Sequence, residues 1–512
     1  MKVDVLIVGA GLEGLAAGAV LAARGRRTLI VESAEKPGGR ARLEEFHPGY
    51  RAPGVWLESP RLAPGALQAL GWGARGVQPR SHAPQWVLAD RDGRRGTPEE
   101  LARQADESAG LERWRALNEQ AGRLLSGLAA QRPPEVLPSS AKEMLSLAKA
   151  LWPAARTSEA ELLELLRIPS MAAADWLGEH LTDPLLRAGL CAGGLGLGVV
   201  GPRQPGTAAG VLLREAALGP HPQCGPRVLL EAALGVCADQ GAELWCGRAV
   251  ERIRVEDGRA AGVVLSDGAR VDASWVLSTV DPKSTLGCLV PEAELDLRTR
   301  RAAQHFRTRG AVGVLRLALD AVPQGPEGAL QRARLVGGID ELERAYDRLK
   351  YAALPGQLPD LGVDDRPWLE IGVPSAEDAS LAPEGGAVLV AHVHALPLEP
   401  QGGWTEEARA AVVEDALDQL AGLVPGLRQS LVGQEFLAPP DLARRFALAG
   451  GHLGHGELAL DQLWVLRPSL ALSRHQTEIP GLLLAGAGTH PGPFCVLGSG
   501  LASAAIALAG RP

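Results

Sequence analysis

Several kinds of residue are scarce in this chain, and each scarcity removes a class of chemistry. It holds three tyrosines and five phenylalanines among 512 residues, although eleven tryptophans partly make up for them. Its six cysteines, at 191, 224, 237, 246, 288 and 495, form no CxxC pair and no metal-ligand spacing with histidine. No disulfide framework and no metal are expected, and the thiols read as buried groups in a reducing compartment. No uninterrupted apolar run reaches the roughly 18 residues that suggest a membrane span. The first strand-like run begins at Val3, so a signal peptide is not expected. Positive charge is not in excess: the formal net charge is −8 and the pI about 5.9, so no basic field suits nucleic acid. With 46% hydrophobic residues, the chain has the makings of two or three globular domains. A cytoplasmic protein with at most peripheral membrane contact is expected.

Organisation is concentrated in the first forty residues. Val3 to Val8 is an apolar, β-branched run that enters Gly9-Ala10-Gly11-Leu12-Glu13-Gly14. An Ala/Leu-rich helix-like stretch follows, then a second apolar run, Thr28 to Val31, closed by Glu32 and Ser33. Gly9 permits the turn off the strand, Gly11 lets backbone approach a pyrophosphate, and Gly14 brings helix and strand together. Glu32 stands about 20 residues beyond the turn, where a carboxylate accepts hydrogen bonds from an adenosine ribose. A plain βα turn does not explain Glu32, so dinucleotide binding is predicted. Glu13 is out of place, because a carboxylate in the first helical turn repels phosphate unless it points to solvent.

A second GxGxxG, Gly196 to Gly201, has the wrong context. A helix-like run from Pro184 to Cys191 precedes it, and Pro202 and Pro205 fall where a phosphate-binding helix would start. It is read as a flexible or closely packed loop.

After the second strand comes Pro37-Gly38-Gly39-Arg40-Ala41-Arg42, another close backbone approach, with a cation for a phosphate. The whole start resembles the FAD-binding start of the amine oxidase and phytoene desaturase superfamily of flavoproteins. The resemblance implies FAD rather than NAD, bound in a Rossmann-like domain of glutathione-reductase type. It also implies an α/β fold in which an α+β substrate domain interrupts the FAD domain. The FAD-binding domain would comprise residues 1–62, 215–300 and 469–512, and the substrate-binding domain 63–214 and 301–468.

Between the ends, Phe46 to Gly54 is turn-rich, and 64–188 is largely helical in pattern, as in Leu111 to Leu128 and Ala141 to Leu151. A helix-like stretch, Val228 to Gln240, leads into a meander: Ala249 to Val255, a turn at Asp257-Gly258, Ala261 to Leu265, a turn at Asp267-Gly268, and Arg270 to Val280. This unit resembles the second FAD-binding segment of the family, which implies that backbone near Val250 meets adenine. Cys224-Gly225-Pro226-Arg227 departs from the turn that family members often carry there. Gly310 to Leu319 and Gly386 to Ala395 are strand-like, and Glu406 to Leu423 is an amphipathic helix.

Near the C-terminus, Leu482-Leu483-Leu484 breaks into Ala485-Gly486-Ala487-Gly488, and a small-residue helix starts at Gly498, just after Leu497. Glycines at a strand-to-helix junction offer the close N–H groups that a pyrophosphate and a flat ring system need. This resembles the terminal FAD motif of phytoene desaturases, and the segment from His455 to Pro468 resembles the phytoene dehydrogenase-like branch. The resemblance implies an FAD-dependent dehydrogenase, desaturase or isomerase that moves a hydride between flavin N5 and a C–C or C=C bond of an apolar, carotenoid or isoprenoid, substrate. Glu457, Arg467 and His490 are the polar residues expected near flavin or substrate. A flavin amine oxidase acting on a C–N bond stays open as the alternative, as does a non-catalytic flavin-bearing scaffold. Three tyrosines and five phenylalanines leave little for an aromatic sandwich around an amine. No second nucleotide site is expected, so oxygen, a quinone or a redox partner would reoxidise the flavin.

Overall fold

In the computed structural model the first sheet draws its strands from three separated stretches of chain. Described are residues 1–510 except 81–85, 130–131, 135–139, 142–143, 146–147, 149–156, 217, 326–327 and 355–365. Most of the helix expected over 141–151 lies outside the described residues. Lys2–Val8 sits centrally, parallel to Thr28–Val31 on one side and to Arg270–Ser278 on the other. Glu243–Trp245 extends the sheet beyond Thr28–Val31, and Leu482–Leu484 joins Arg270–Ser278, both in parallel. The antiparallel strands Arg259–Leu265 and Val250–Glu256 complete it. Asp257 and Gly258, with φ of 51° and 70°, make their hairpin turn left-handed, which suits the twist of paired strands.

Helix Leu12–Ala23 is apolar around most of its circumference because it is covered on every side. It packs on the sheet and between the helices Pro226–Asp239 and Gly498–Ala509. Gly14 sets its distance from the sheet, since a Cβ there would stand 2.1 Å from the carbonyl oxygen of Gly9. The N- and C-terminal elements are thereby packed against each other.

A second sheet runs in the order Leu431–Leu437, Val312–Leu319, Ala387–His394, Leu369–Gly372, Arg332–Leu335, Val87–Ala89, Arg95–Gly96. It is antiparallel except where Arg332–Leu335 meets Val87–Ala89. Helices Glu406–Leu423 on one side and Pro184–Leu195 and Thr207–Glu215 on the other accompany it. The segment expected to be turn-rich contains a hairpin, Leu43–His47 with Tyr50–Pro53, because Pro48-Gly49 supplies a tight turn. The thiols are also less uniformly buried than expected: all are free, Cys246 is half-buried and Cys288 exposed. Among the described residues no helix is long and apolar enough to cross a membrane.

Candidate functional site

A narrow cleft opens where Lys2–Val8 ends. Gly9 leaves the strand at φ +100°, a conformation that favours glycine, and a Cβ there would meet Thr279 Oγ1 at 2.4 Å. Gly11 then caps helix Leu12–Ala23 without any side-chain acceptor, so the N–H groups of the first turn face the cleft unpaired by a cap. Gly38 and Gly39, both at positive φ, pass against Gly11. On the far side Gly486, at φ +91°, donates its N–H to Ser499 Oγ at 2.8 Å.

Glu32 is 9% exposed at the end of its strand. It accepts from the N–H groups of Ala10 and Ala34 at 2.8 and 2.9 Å and from Ser33 Oγ at 3.3 Å. A carboxylate has about four lone-pair sites, so capacity for a ribose hydroxyl remains. Arg40 is half-buried in the cleft wall and donates to Leu453 O at 2.6 Å. Burial pulls its guanidinium down to about 10, against a smaller opposing effect of Glu13. An anion beside it would relieve that desolvation.

The cleft is lined by Gly9, Gly11, Leu12, Glu13, Glu32, Ser33, Gly38, Gly39, Arg40 and Gly486 among the expected residues. Gly14, Gly488, Leu497 and Val250 do not line it. Gly14 and Gly488 are packing glycines, the latter with Pro282 2.4 Å from where its Cβ would stand. Val250 begins a strand just past Gly247 and Arg248, whose N–H groups reach Ala34 O and Glu32 O. Glu13 corrects the expectation made for it. It points neither to solvent nor at the phosphate path, but accepts the N–H groups of Leu497 and Gly500, both at 2.8 Å, and so caps the C-terminal helix.

Three comparisons bear on this arrangement. A family model described as an NAD(P)-binding Rossmann-like domain matches residues 7–60. Pyridine nucleotide-disulfide oxidoreductase domain-containing protein 2 of Mus musculus is 26% identical, over 96% of this chain and 90% of its own. Phytoene desaturase of Fusarium fujikuroi is 25% identical, over 98% of this chain and 88% of its own. These likenesses support a place in the superfamily of FAD-dependent oxidoreductases. The solved structure of putrescine oxidase bound to putrescine has the same fold, with a TM-score of 0.60, 15% identity and full coverage of both chains.

FAD is the cofactor of this enzyme, and the cleft fits it. Uncapped N–H groups at Gly11 and a half-buried cation at Arg40 suit the pyrophosphate, Glu32 suits the ribose, and the glycines of both termini leave room for backbone to approach. Structure adds residues that sequence reasoning missed, notably Trp56, Thr279, Phe446 and His455. His455 opened a quoted motif, yet only the fold shows it turned into the cleft, its ring held far below the usual histidine range by burial and then by Arg40 and Arg467.

The residues expected to be catalytic line neither this cleft nor the chamber beside it. Glu457, 3% exposed, is paired with Arg307 and Arg309 at 3.3 and 2.7 Å. Arg467 is fully buried and donates to the carbonyls of Gly454, Gly456, Glu457, Gln462 and Ala487. The His490 ring faces Leu128 O at 3.0 Å and stands edge-on to Trp464. These side chains are engaged in holding the C-terminal loops together, which a motif-based expectation does not see.

The chamber has a volume of about 750 Å³ and shares Arg40 and Trp56 with the cleft. Its near end is apolar, with Val55, Leu57, Leu197, Leu453 and Phe494. The far wall is charged and comes from one face of the second sheet. Pairing sets Arg334 opposite Glu370 and Glu370 opposite His392, while Arg332 and His394 follow two residues along their strands. Glu370 meets Arg214 at 2.8 Å and Arg334 at 3.3 Å. Burial alone would raise its carboxyl, but those guanidinium groups hold it at about 2. Glu370, His392 and His394 also bring ligand-type atoms within 4.8 Å of one another, a grouping that residue spacing did not reveal. Two guanidinium groups on the carboxylate put positive charge where a metal would sit.

Proposed function

We propose that the enzyme dehydrogenates, desaturates or isomerises a C–C or C=C bond in the apolar segment of a small substrate held in the chamber. One observation carries this reading: chamber and cleft meet at Arg40 and Trp56, and beyond Arg40 the chamber lining includes the apolar Val55, Leu57, Leu197, Leu453 and Phe494. Bound FAD supplies the two-electron acceptor at the edge of the chamber. Trp56, Leu57 and Phe494 exclude water and hold an apolar segment at that edge. The likeness to a phytoene desaturase supports the C–C reading. Against amine oxidation stands the cover over Trp86, whose ring meets the guanidinium carbons of Arg334, Arg332 and Arg214 at 4.1, 4.6 and 6.0 Å. A cationic amine would be repelled there.

Oxygen, a quinone or a redox partner would restore the oxidised cofactor. Six free thiols support a cytoplasmic setting, and peripheral membrane contact would serve an apolar substrate.

The test is an anaerobic screen of the yellow holoenzyme against olefins, saturated chains and amines, followed by flavin absorption. Bleaching by compounds with an oxidisable C–C bond, with a product one double bond richer, is expected. Bleaching by amines alone, with release of an aldehyde, would overturn the reading in favour of C–N oxidation.

A further inference from the structure

We infer that the substrate carries a carboxylate at the end remote from the reacting bond, and that Arg214 and Arg332 receive it at the charged wall of the chamber. The inference rests on the function proposed above and narrows its substrate class from apolar to amphipathic.

The wall contains more guanidinium groups than its own carboxylates use. Among the hydrogen bonds of the described residues, Arg332 spends one arm on Glu58 at 2.7 Å and Arg214 one on Glu370 at 2.8 Å. Arg332 is 9% exposed and its Nε meets no acceptor in the protein. Beneath them lies Arg334, 1% exposed, with one terminal nitrogen likewise unmatched. Its position depends on Gly193, where a Cβ would come within 2.5 Å of the guanidinium. Burying a charge without full hydrogen bonding is costly, so a wall built this way calls for an acceptor from outside.

The charge count selects the kind of acceptor. Arg61, Arg214, Arg332 and Arg334 face Glu58, Glu215 and Glu370, which leaves one positive charge, since burial keeps His392 and His394 neutral. A carboxylate balances it, whereas a phosphate dianion would leave the wall negative. The planar fork of an arginine matches a carboxylate in two hydrogen bonds. Trp86, already stacked under the three guanidinium groups, holds their planes in place. The apolar near end and the charged far wall thus suit a molecule with a hydrocarbon portion toward Trp56 and an acid group at Arg332.

The experiment uses the FAD-loaded enzyme and reads the flavin absorption spectrum and intrinsic tryptophan fluorescence, without turnover. The probes are decanoate and cinnamate with their matching primary alcohols and amines. Saturable responses to a carboxylate, with the alcohol and amine at least about tenfold weaker, are expected, because a charge-assisted hydrogen bond contributes about 1.5–3 kcal/mol. Arg332→Gln and the more exposed Arg214→Gln should each weaken the carboxylate about tenfold or more, at unchanged flavin content in the folded protein. If Arg332→Gln fails to fold, Arg214→Gln carries the comparison. Neutral probes binding as well as the acids, carboxylate binding indifferent to Arg214→Gln, or no response to either acid from a flavin that dithionite still reduces would each overturn the inference. None of these results touches the proposed C–C chemistry, which instead falls if no compound without a C–N bond bleaches the flavin.

Discussion

The contact between Glu13 and the C-terminal helix allows a quantitative test of how the two ends of the chain are joined. Its carboxylate accepts two buried N–H groups, those of Leu497 and Gly500. Glu13→Ala removes both acceptors, and each stranded N–H costs about 1–3 kcal/mol, so about 2–6 kcal/mol is at stake. Part of that is offset, because burial raises the carboxyl above its ordinary 4.5, more than the two N–H groups lower it. A net loss of about 2–4 kcal/mol is the expectation, with Glu13→Gln losing less since its amide oxygen still serves one N–H. The sign with pH follows. The folded carboxyl holds its proton to higher pH than the unfolded one, so wild type gains stability relative to Glu13→Gln as pH falls toward 4.5. The assay is denaturant unfolding of the holoenzyme at fixed FAD, with flavin fluorescence reporting release. A Glu13→Ala protein with the wild-type midpoint and full flavin would refute the capping role, and so would a Glu13→Gln protein that suffers more than the alanine variant.

Other expectations follow from the same geometry. Gly14→Ala drives a Cβ to 2.1 Å from Gly9 O, so the helix must lift from the sheet at a cost of about 1–3 kcal/mol; equilibrium dialysis should show weaker FAD binding. Arg40→Met removes the cation in the cleft wall, and FAD dissociation measured by fluorescence should rise about tenfold to a hundredfold. Glu370, held at about 2 against 4.5, contributes about 3 kcal/mol that is fully present above 4.5 and lost as pH falls toward 2. The stability gap between wild type and Glu370→Gln should therefore shrink on acidification, as unfolding midpoints along the acid limb will reveal. Arg467→Met strands five carbonyls and should lower stability and flavin retention together; a loss of turnover alone, in a protein as stable as wild type, would return Arg467 to the reacting centre.

Much of this protein was legible in its chain because the information is local. The strand, turn, helix and acid from Lys2 to Glu32 lie within one supersecondary unit, where each glycine answers to a backbone constraint a few residues away. The helix Glu406–Leu423 and the hairpin at Asp257-Gly258 were equally readable from periodicity and turn chemistry. What only the tertiary structure decided was the pairing of residues far apart in sequence. Glu13 meets Leu497 across 484 positions, and Arg334, Glu370 and His392 share a wall because their strands pair in one register. Polar residues two apart in apolar runs, Arg332 with Arg334 and His392 with His394, are the local trace of that polar face, a trace that sequence reasoning passed over. Which strands would bring those faces together is a matter of topology, and a sequence pattern of period two carries no record of its neighbours.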